Sequence, residues 1–236
     1  MILFLGDSFT WGQGLHIEKW LSEGKSVEFC NKYSPPHYHA EQLSYSDDVY
    51  RKLKHFPNLV ASKLDVPYGA PWTNGGANFE NEFIIKNLEK LTLDHTIQLI
   101  IIQFTEFGRE PEFPWIHKTN KYDLVNTYIE RQIAEISKTL SAAETNIPWL
   151  GLSWPDEYSN VLKSKWEDNL IPLKYNDTEY DSISELQNKY KKDGLFELTD
   201  SFTGINDGHP NSYFHQVIAN SIIDAIKKSD IKFTRV

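Results

Sequence analysis

The chain begins with the stretch MILFLGDSFTWG, residues 1–12, from which the rest of the sequence can be interpreted. Its apolar run, residues 2–5, is long enough for one buried strand and too short for a helix. The run stops at Gly6, and the polar pair Asp7 and Ser8 follows at once. Glycine permits a sharp turn, which leaves the Ser8 hydroxyl at the C-terminal end of a strand, where open α/β sheets bind ligands. The stretch predicts that Ser8 is a nucleophile, although Gly-Asp-Ser is also a common turn sequence.

The composition limits the classes of protein to consider. The chain has 236 residues, a net charge of −9 and one cysteine, Cys30. That length fits a single domain, residues 1–236, which can bury a core without disulfides. The acidic charge disfavours nucleic acid as a partner, and no stretch has the roughly 18 apolar residues of a membrane span. Since no signal peptide is recognisable, we expect a cytoplasmic protein without a membrane partner; the oligomeric state stays open.

Two kinds of apolar pattern alternate along the chain. Short continuous runs predict buried strands, and apolar residues at helical spacing predict amphipathic helices. The predicted strands are 2–5, 96–104, 147–154 and 195–198. The predicted helices are two within 47–63, the second starting at Pro57, and then 79–91, 122–140, 182–191 and 212–228. This alternation predicts an α/β layered fold with a mainly parallel sheet.

A polar stretch at about residues 16–46 interrupts this alternation. Its length predicts a loop insertion that acts as a lid or a binding loop. It contains His37 and His39, which suggest metal ligands, but no third ligand at fixed spacing accompanies them. Because a zinc site needs three or four protein ligands, a solvent-exposed loop is the favoured interpretation.

Polar turns follow several predicted elements, and in a parallel sheet they can meet at one edge. That convergence supplies what acyl transfer by a serine requires. Ser8 attacks an ester carbonyl, His209 accepts its proton, and Asp207 orients the imidazole. The backbone N–H groups of Ser8 and Gly76, with one side-chain donor, form the oxyanion hole. The residues thus predict a Ser-His-Asp site.

Three motifs together resemble a known family. Gly-Asp-Ser-Phe at 6–9, Gly-Gly-Ala-Asn at 75–78 and Asp-Gly-His-Pro-Asn at 207–211 look like the motifs of the SGNH hydrolases, also called the GDSL family. The resemblance implies a three-layer α/β/α sandwich, flavodoxin-like, with a mainly parallel five-stranded sheet. It also implies a triad that needs no metal or cofactor. The implied substrates are esters or O-acyl compounds, often acetyl groups on carbohydrates.

The sequence departs from the family pattern in the oxyanion hole and in the acid. An Asn side chain usually supplies the third oxyanion donor after the third strand, whereas here Thr105 stands closest to that place. Either the Thr105 hydroxyl substitutes, with a shorter reach than an amide, or another group does, or the oxyanion hole is weakened. The register of the glycine turn leaves Gly75 as a competitor for Gly76. The family's acid often lies three residues before the histidine, where this chain has Asn206, so we assign Asp207 by the shorter spacing.

Five further residues are candidates for substrate binding, and four of them have a plainer alternative. Asp7 can instead brace its own turn, and Trp11 can pack the first helix. Glu106 and Arg109 can belong to a solvated loop, although an arginine there can pair with a substrate carboxylate. The fifth candidate, Asn78, ends the glycine turn.

The sequence therefore predicts a serine hydrolase of SGNH type, an esterase or deacylase. It would cleave an ester or O-acyl group, such as O-acetyl, from a carbohydrate or another small polar substrate. Two alternatives remain at this stage. One is an O-acyltransferase that uses the same site, and the other is a non-catalytic carbohydrate-binding or structural module that retains the fold. The missing oxyanion asparagine motivates the second.

Overall fold

The computed structural model describes residues 1–33, 43–71, 77–88, 97–142, 146–190 and 209–233. Within them, four parallel strands form the main sheet in the order β2-β1-β3-β4. These strands are β1 Ile2–Leu5, β2 Tyr68–Gly69, β3 Leu99–Phe104 and β4 Trp149–Ser153. In the pairing of β1 with β3, Ile2 lies opposite Leu99 and Leu5 lies opposite Ile102. The predicted parallel sheet is confirmed; the predicted strand at 195–198 lies outside the described residues.

Helices follow the strands along the chain. Before β3 they are α1 Ser8–Trp11, α2 Leu15–Ser22, α3 Val27–Tyr33, α4 Tyr45–Lys54, α5 Phe56–Leu64 and α6 Asn78–Lys86. After β3 they are α7 Phe113–Thr119, α8 Val125–Leu140, α9 Asp156–Lys165, α10 Ile183–Tyr190 and α11 Ser212–Lys228. No helix among the described residues is long and apolar enough to cross a membrane.

The alternation of side chains along each strand divides the core between the two faces of the sheet. Ile2 and Phe4 of β1 point into one apolar cluster, which includes residues of α5 and α11. Leu3 and Leu5 point into the other, which includes residues of α6, α8 and α9. Successive side chains of a strand point to opposite faces, so each strand contributes to both clusters. The result is the predicted three-layer α/β/α arrangement.

The stretch predicted as a loop insertion, 16–46, is partly helical, and the prediction of a loop is wrong for that part. It contains most of α2 and all of α3. Ile17, Trp20 and Cys30 form a small buried cluster there. The exposed charged residues between them dilute the apolar pattern and hide the helical spacing. Residues 34–42, with His37 and His39, lie outside the described residues.

Sequence patterns also missed a β-hairpin after α9. Its strands are β5 Leu173–Tyr175 and β6 Thr178–Tyr180, which pair antiparallel. Between them, Asn176 and Asp177 adopt φ angles of 48° and 59°. Consecutive left-handed residues form a two-residue turn that suits the twist of a hairpin, and Asn and Asp tolerate that conformation. The Asn-Asp pair was therefore the available signal for this hairpin.

His215 on α11 is fully buried and makes the stability of the fold depend on pH. Its Nδ1 accepts the backbone N–H of Phe56 at 3.2 Å. Burial, reinforced by His55 and His209, holds the pKa of His215 well below its usual range. The folded protein therefore keeps His215 neutral, whereas the unfolded chain protonates it below about pH 6.5. The free energy of unfolding should fall as the pH drops through that value.

We expect the His215→Gln variant to lose part of this dependence. Between pH 6 and pH 5, the free energy of unfolding of the variant should fall less steeply than that of the wild type. The difference between the two slopes should be about 1 kcal/mol per pH unit. Urea unfolding at pH 5, 6 and 8 measures both slopes, and pH 8 isolates the pH-independent cost of the substitution. Equal slopes for the two proteins would contradict a neutral buried His215.

Candidate active site

The nucleophile candidate lies on a tight turn between β1 and α1. Asp7 caps α1, and its Oδ1 accepts the Phe9 N–H at 2.9 Å. Gly6 has no room for a side chain, because an added Cβ would lie 2.0 Å from the Thr10 Oγ1 atom. Ser8 is the first residue of α1 and is 3% exposed. The turn thus holds the Ser8 hydroxyl at the C-terminal edge of the sheet.

The candidate base comes from the other end of the chain. His209 lies just before α11, whose N-cap Asn211 accepts the Phe214 N–H at 2.8 Å. The Ser212 N–H donates to Glu18 of α2 at 2.6 Å, which ties this end of α11 to the N-terminal helices. The His209 Nε2 atom lies 3.0 Å from the Ser8 Oγ atom, although the two residues are 201 positions apart in the chain. The structure therefore brings the predicted nucleophile and base into hydrogen-bond contact.

The other predicted parts of this machinery fall partly outside the described residues. Asp207, its alternative Asn206, and the glycine-turn residues Gly75 and Gly76 all belong to the parts left out. Their roles stay predictions. The Ser8 N–H, by contrast, is described, and it donates to no acceptor within the part of the chain that the structure describes. It is available to bind an oxyanion.

Asp7 is a brace for the turn, so the structure does not support it as a substrate contact. Its side chain is 1% exposed. Its Oδ2 accepts the Thr105 hydroxyl at 2.8 Å and the Arg109 Nη1 at 3.3 Å. Burial raises the pKa of Asp7, while the Phe9 N–H and the Arg109 charge oppose that rise. Every polar contact of this carboxylate thus serves the local fold.

Thr105 does not have the free hydroxyl that an oxyanion donor needs. A threonine hydroxyl has one proton to donate, and here that proton goes to Asp7. The Thr105 backbone is also engaged, because its N–H donates to the Asn78 Oδ1 at 2.8 Å and its carbonyl accepts the Asn78 Nδ2 at 3.0 Å. Both residues are fully buried. Asn78 therefore joins the start of α6 to the end of β3. These contacts support neither the predicted oxyanion role of Thr105 nor the predicted substrate contact of Asn78.

We expect Thr105→Val to lower stability without disabling the chemistry. The substitution removes one donor from the buried Asp7 carboxylate, which should cost about 1–3 kcal/mol of the free energy of unfolding. Urea unfolding measures that cost, and Thr105→Ser, which keeps the hydroxyl, is the matched control. With a model ester, kcat should stay within about tenfold of wild type. An unchanged stability with a loss of kcat of about 10²–10³ would show that Thr105 donates to the oxyanion after all.

The remaining substrate-binding candidates separate into packing and surface residues. Trp11 is 6% exposed, and the Arg51 guanidinium lies 4.0 Å from the centre of its ring. Trp11 therefore packs against α4. Glu106 is exposed. The Arg109 side chain is 30% exposed, and its guanidinium lies 5.4 Å from the centre of the Trp154 ring.

Sequence reasoning missed the aromatic wall beside the serine and histidine. Trp154 directly follows β4, and its ring centre lies 4.6 Å from that of Phe9. Phe9 in turn lies 5.5 Å from the His209 ring, edge to face. The position of Trp154 at the end of a parallel strand was the available signal, because Ser8 also follows a strand of this sheet, β1. The wall gives the site one apolar side.

Comparisons with known proteins bear on the fold. No protein-family model matches the chain, and no curated protein matches it. LAE5, an alpha/beta hydrolase enzyme from the metagenome of Lake Arreo, Spain, is 12% identical with a TM-score of 0.51; the alignment covers 97% of this chain and 95% of that one. An extracellular lipase from Streptomyces rimosus is also 12% identical, with a TM-score of 0.47 and coverages of 97% and 98%. An Axe2 mutant, an acetyl-xylooligosaccharide esterase from Geobacillus Stearmophilus, is 12% identical with a TM-score of 0.47. The alignment covers 100% of this chain and 96% of that one.

The likeness to LAE5 extends over nearly the whole of both chains and shows a common fold. The parallel sheet, its two helical layers and the turn after β1 agree with the arrangement that the motifs imply. The chain therefore shares the α/β fold of LAE5, and its motifs resemble those of the SGNH hydrolases.

Proposed function

We propose that this protein is a serine esterase that removes an ester-linked acyl group from a small polar substrate. The observation that carries the proposal is the 3.0 Å contact between the Ser8 Oγ and His209 Nε2 atoms. A serine hydroxyl is a weak nucleophile by itself, and a hydrogen-bonded imidazole activates it by accepting its proton. The N–H of Ser8, which has no acceptor among the described residues, supports the same chemistry.

The reaction starts as the Ser8 Oγ attacks the ester carbonyl and its proton moves to the His209 Nε2 atom. The carbonyl electron pair moves onto oxygen, and the Ser8 N–H, with Gly76 as a second proposed donor, binds the resulting oxyanion. When the intermediate collapses, the C–O bond to the leaving alcohol breaks and His209 returns the proton to that alcohol. Water then hydrolyses the acyl-Ser8 ester in the same way. Asp207 is the proposed partner of the His209 Nδ1 atom.

The surroundings of Ser8 favour a short acyl chain on a polar acceptor. Within the part of the chain that the structure describes, Phe9 and Trp154 cover one side of the pair, and the charged Arg109 lies next to Trp154. A long acyl chain needs a broad apolar surface, whereas a sugar stacks on one aromatic ring and hydrogen-bonds to polar neighbours. We therefore propose O-acetylated carbohydrates as the substrate class, as the resemblance to the SGNH hydrolases also implies.

A panel of esters tests this proposal. The purified protein is assayed with p-nitrophenyl acetate, butyrate and decanoate, and with acetylated xylo-oligosaccharides, from which acetate release is measured. We expect acetate esters to be cleaved fastest and acetate to be released from the acetylated sugar. Preferred cleavage of the decanoate would contradict the substrate class. Failure to cleave any ester, together with no labelling of Ser8 by a fluorophosphonate, would contradict the esterase. Adding free xylose and looking for acetyl-xylose separates hydrolysis from acyl transfer.

A further inference from the structure

Arg109 carries hydrogen-bond donors that the fold does not use. It ends the short 3₁₀ helix Phe107–Arg109, which follows β3. Its Nη1 lies 3.3 Å from the Asp7 Oδ2 atom, and its guanidinium lies against the Trp154 ring. A guanidinium has five N–H donors. Apart from the bond to Asp7, they reach no acceptor within the part of the chain that the structure describes.

The contacts of Arg109 connect it to neighbours of the reacting groups. Asp7 directly precedes Ser8, so the bond to Asp7 fixes the guanidinium next to the nucleophile's turn. Trp154, on which the guanidinium lies, contacts Phe9, and Phe9 contacts His209. Neighbours of both the nucleophile and the base thus hold Arg109. Its side chain nevertheless stays 30% exposed, so a substrate can reach it.

Three neighbouring side chains are poorer hydrogen-bond donors to an oxyanion than Arg109. The Thr105 hydroxyl proton goes to Asp7, and the Asn78 amide binds the Thr105 backbone. Glu106, when ionised, only accepts hydrogen bonds. Of these four side chains, Arg109 therefore has the most N–H groups without an acceptor among the described residues.

We propose that Arg109 is a catalytic residue whose guanidinium donates a hydrogen bond to the oxyanion formed at Ser8. This inference rests on the proposed esterase function. As the bond from the Ser8 Oγ to the carbonyl carbon forms, the carbonyl electron pair moves onto oxygen and the Ser8 proton moves to His209. The guanidinium meets that negative charge with a charge-assisted hydrogen bond, which is roughly twice as strong as a neutral one. When the intermediate collapses, the electron pair returns and the guanidinium keeps all its protons.

The test compares Arg109→Gln and Arg109→Lys with wild type on p-nitrophenyl acetate, a neutral ester. Loss of one oxyanion donor typically costs about 10²–10³ in kcat, so we expect that loss in Arg109→Gln with KM within about threefold. Arg109→Lys keeps the charge but loses the planar guanidinium, so its kcat should lie between those of Arg109→Gln and wild type. Arg131→Gln is the matched control, because Arg131 is 63% exposed and pairs with Glu112 on the surface. The kcat and KM of Arg131→Gln should match those of wild type.

Two further measurements exclude other roles for Arg109. A small trifluoromethyl ketone forms a tetrahedral adduct with a serine, and its inhibition constant should rise in Arg109→Gln by the factor by which kcat/KM falls. Arg109 also balances the charge of the buried Asp7. In the double variant Asp7→Asn/Arg109→Gln that charge is absent. Its kcat should stay about 10²-fold or more below that of Asp7→Asn alone.

The outcomes separate this inference from the proposed function. If the wild type is active and Ser8 is labelled, the proposed esterase function is supported, whatever result the Arg109 variants give. Activity of Arg109→Gln within about tenfold of wild type would overturn the inference, as would recovery in the double variant. A loss confined to an anionic ester such as p-nitrophenyl hemisuccinate would also overturn it and assign Arg109 to binding a substrate carboxylate.

Discussion

The Ser8→Ala variant is expected to hydrolyse p-nitrophenyl acetate at least about 10⁴-fold more slowly than wild type, measured as kcat/KM. The substitution removes the oxygen that forms the acyl-enzyme. Ser8 is buried at the start of α1, where alanine fits without strain and the Asp7 cap is retained. The loss should therefore come from chemistry, with an unchanged circular dichroism spectrum and urea midpoint.

The control is a helical serine that lies on the surface, remote from the site. Ser22 lies at the exposed end of α2, where its hydroxyl donates to the Lys19 carbonyl. Ser22→Ala should retain wild-type kcat/KM. If Ser8→Ala were as active as this control, Ser8 would not be the nucleophile and the esterase mechanism proposed above would be wrong.

The His209→Ala variant should lose at least about 10³-fold in kcat, because the Ser8 proton then has no positioned acceptor. The fold should survive, since the Asn211 cap and the buried stripe of α11 do not depend on the imidazole. Added imidazole can enter the space that the deleted ring leaves next to Phe9. We expect it to restore part of the activity in proportion to its concentration, which a purely structural defect would not allow.

The control for this variant is a histidine elsewhere on the surface. His117 on α7 is exposed and contacts Tyr122. His117→Ala should keep full activity and show no response to imidazole. Full activity of His209→Ala would contradict the assignment of His209 as the base.

The sequence predicted those parts of the fold that depend on local signals. The last helix runs from Ser212 to Lys228 as predicted, because Asn211 caps it and its apolar stripe is regular. The encounter of Ser8 with His209 was also predictable, since strand ends of a parallel sheet share one edge. The resemblance to the SGNH hydrolases then supplied roles for both residues. The predicted helix 79–91 is α6, described as Asn78–Lys86 with residues 89–91 among those left out.

The parts that sequence reasoning missed depend on contacts between distant residues. Thr105 has the right position for an oxyanion donor, but the direction of its hydroxyl is set by Asp7, 98 positions away. Arg109 and Trp154 are far apart in the chain and become neighbours only in the fold. Neither propensity nor periodicity contains that information, because both describe a residue's local surroundings.

A fluorophosphonate reaction tests the central claim, that Ser8 activated by His209 is the nucleophile. The protein is treated with the reagent, digested, and its peptides analysed by mass spectrometry while residual ester hydrolysis is followed. The account predicts one phosphonyl group, on Ser8, with hydrolysis lost in proportion to labelling and with labelling strongly slowed in His209→Ala. Hydrolysis that survives complete labelling of Ser8, or a phosphonyl group found only on another residue, would contradict it.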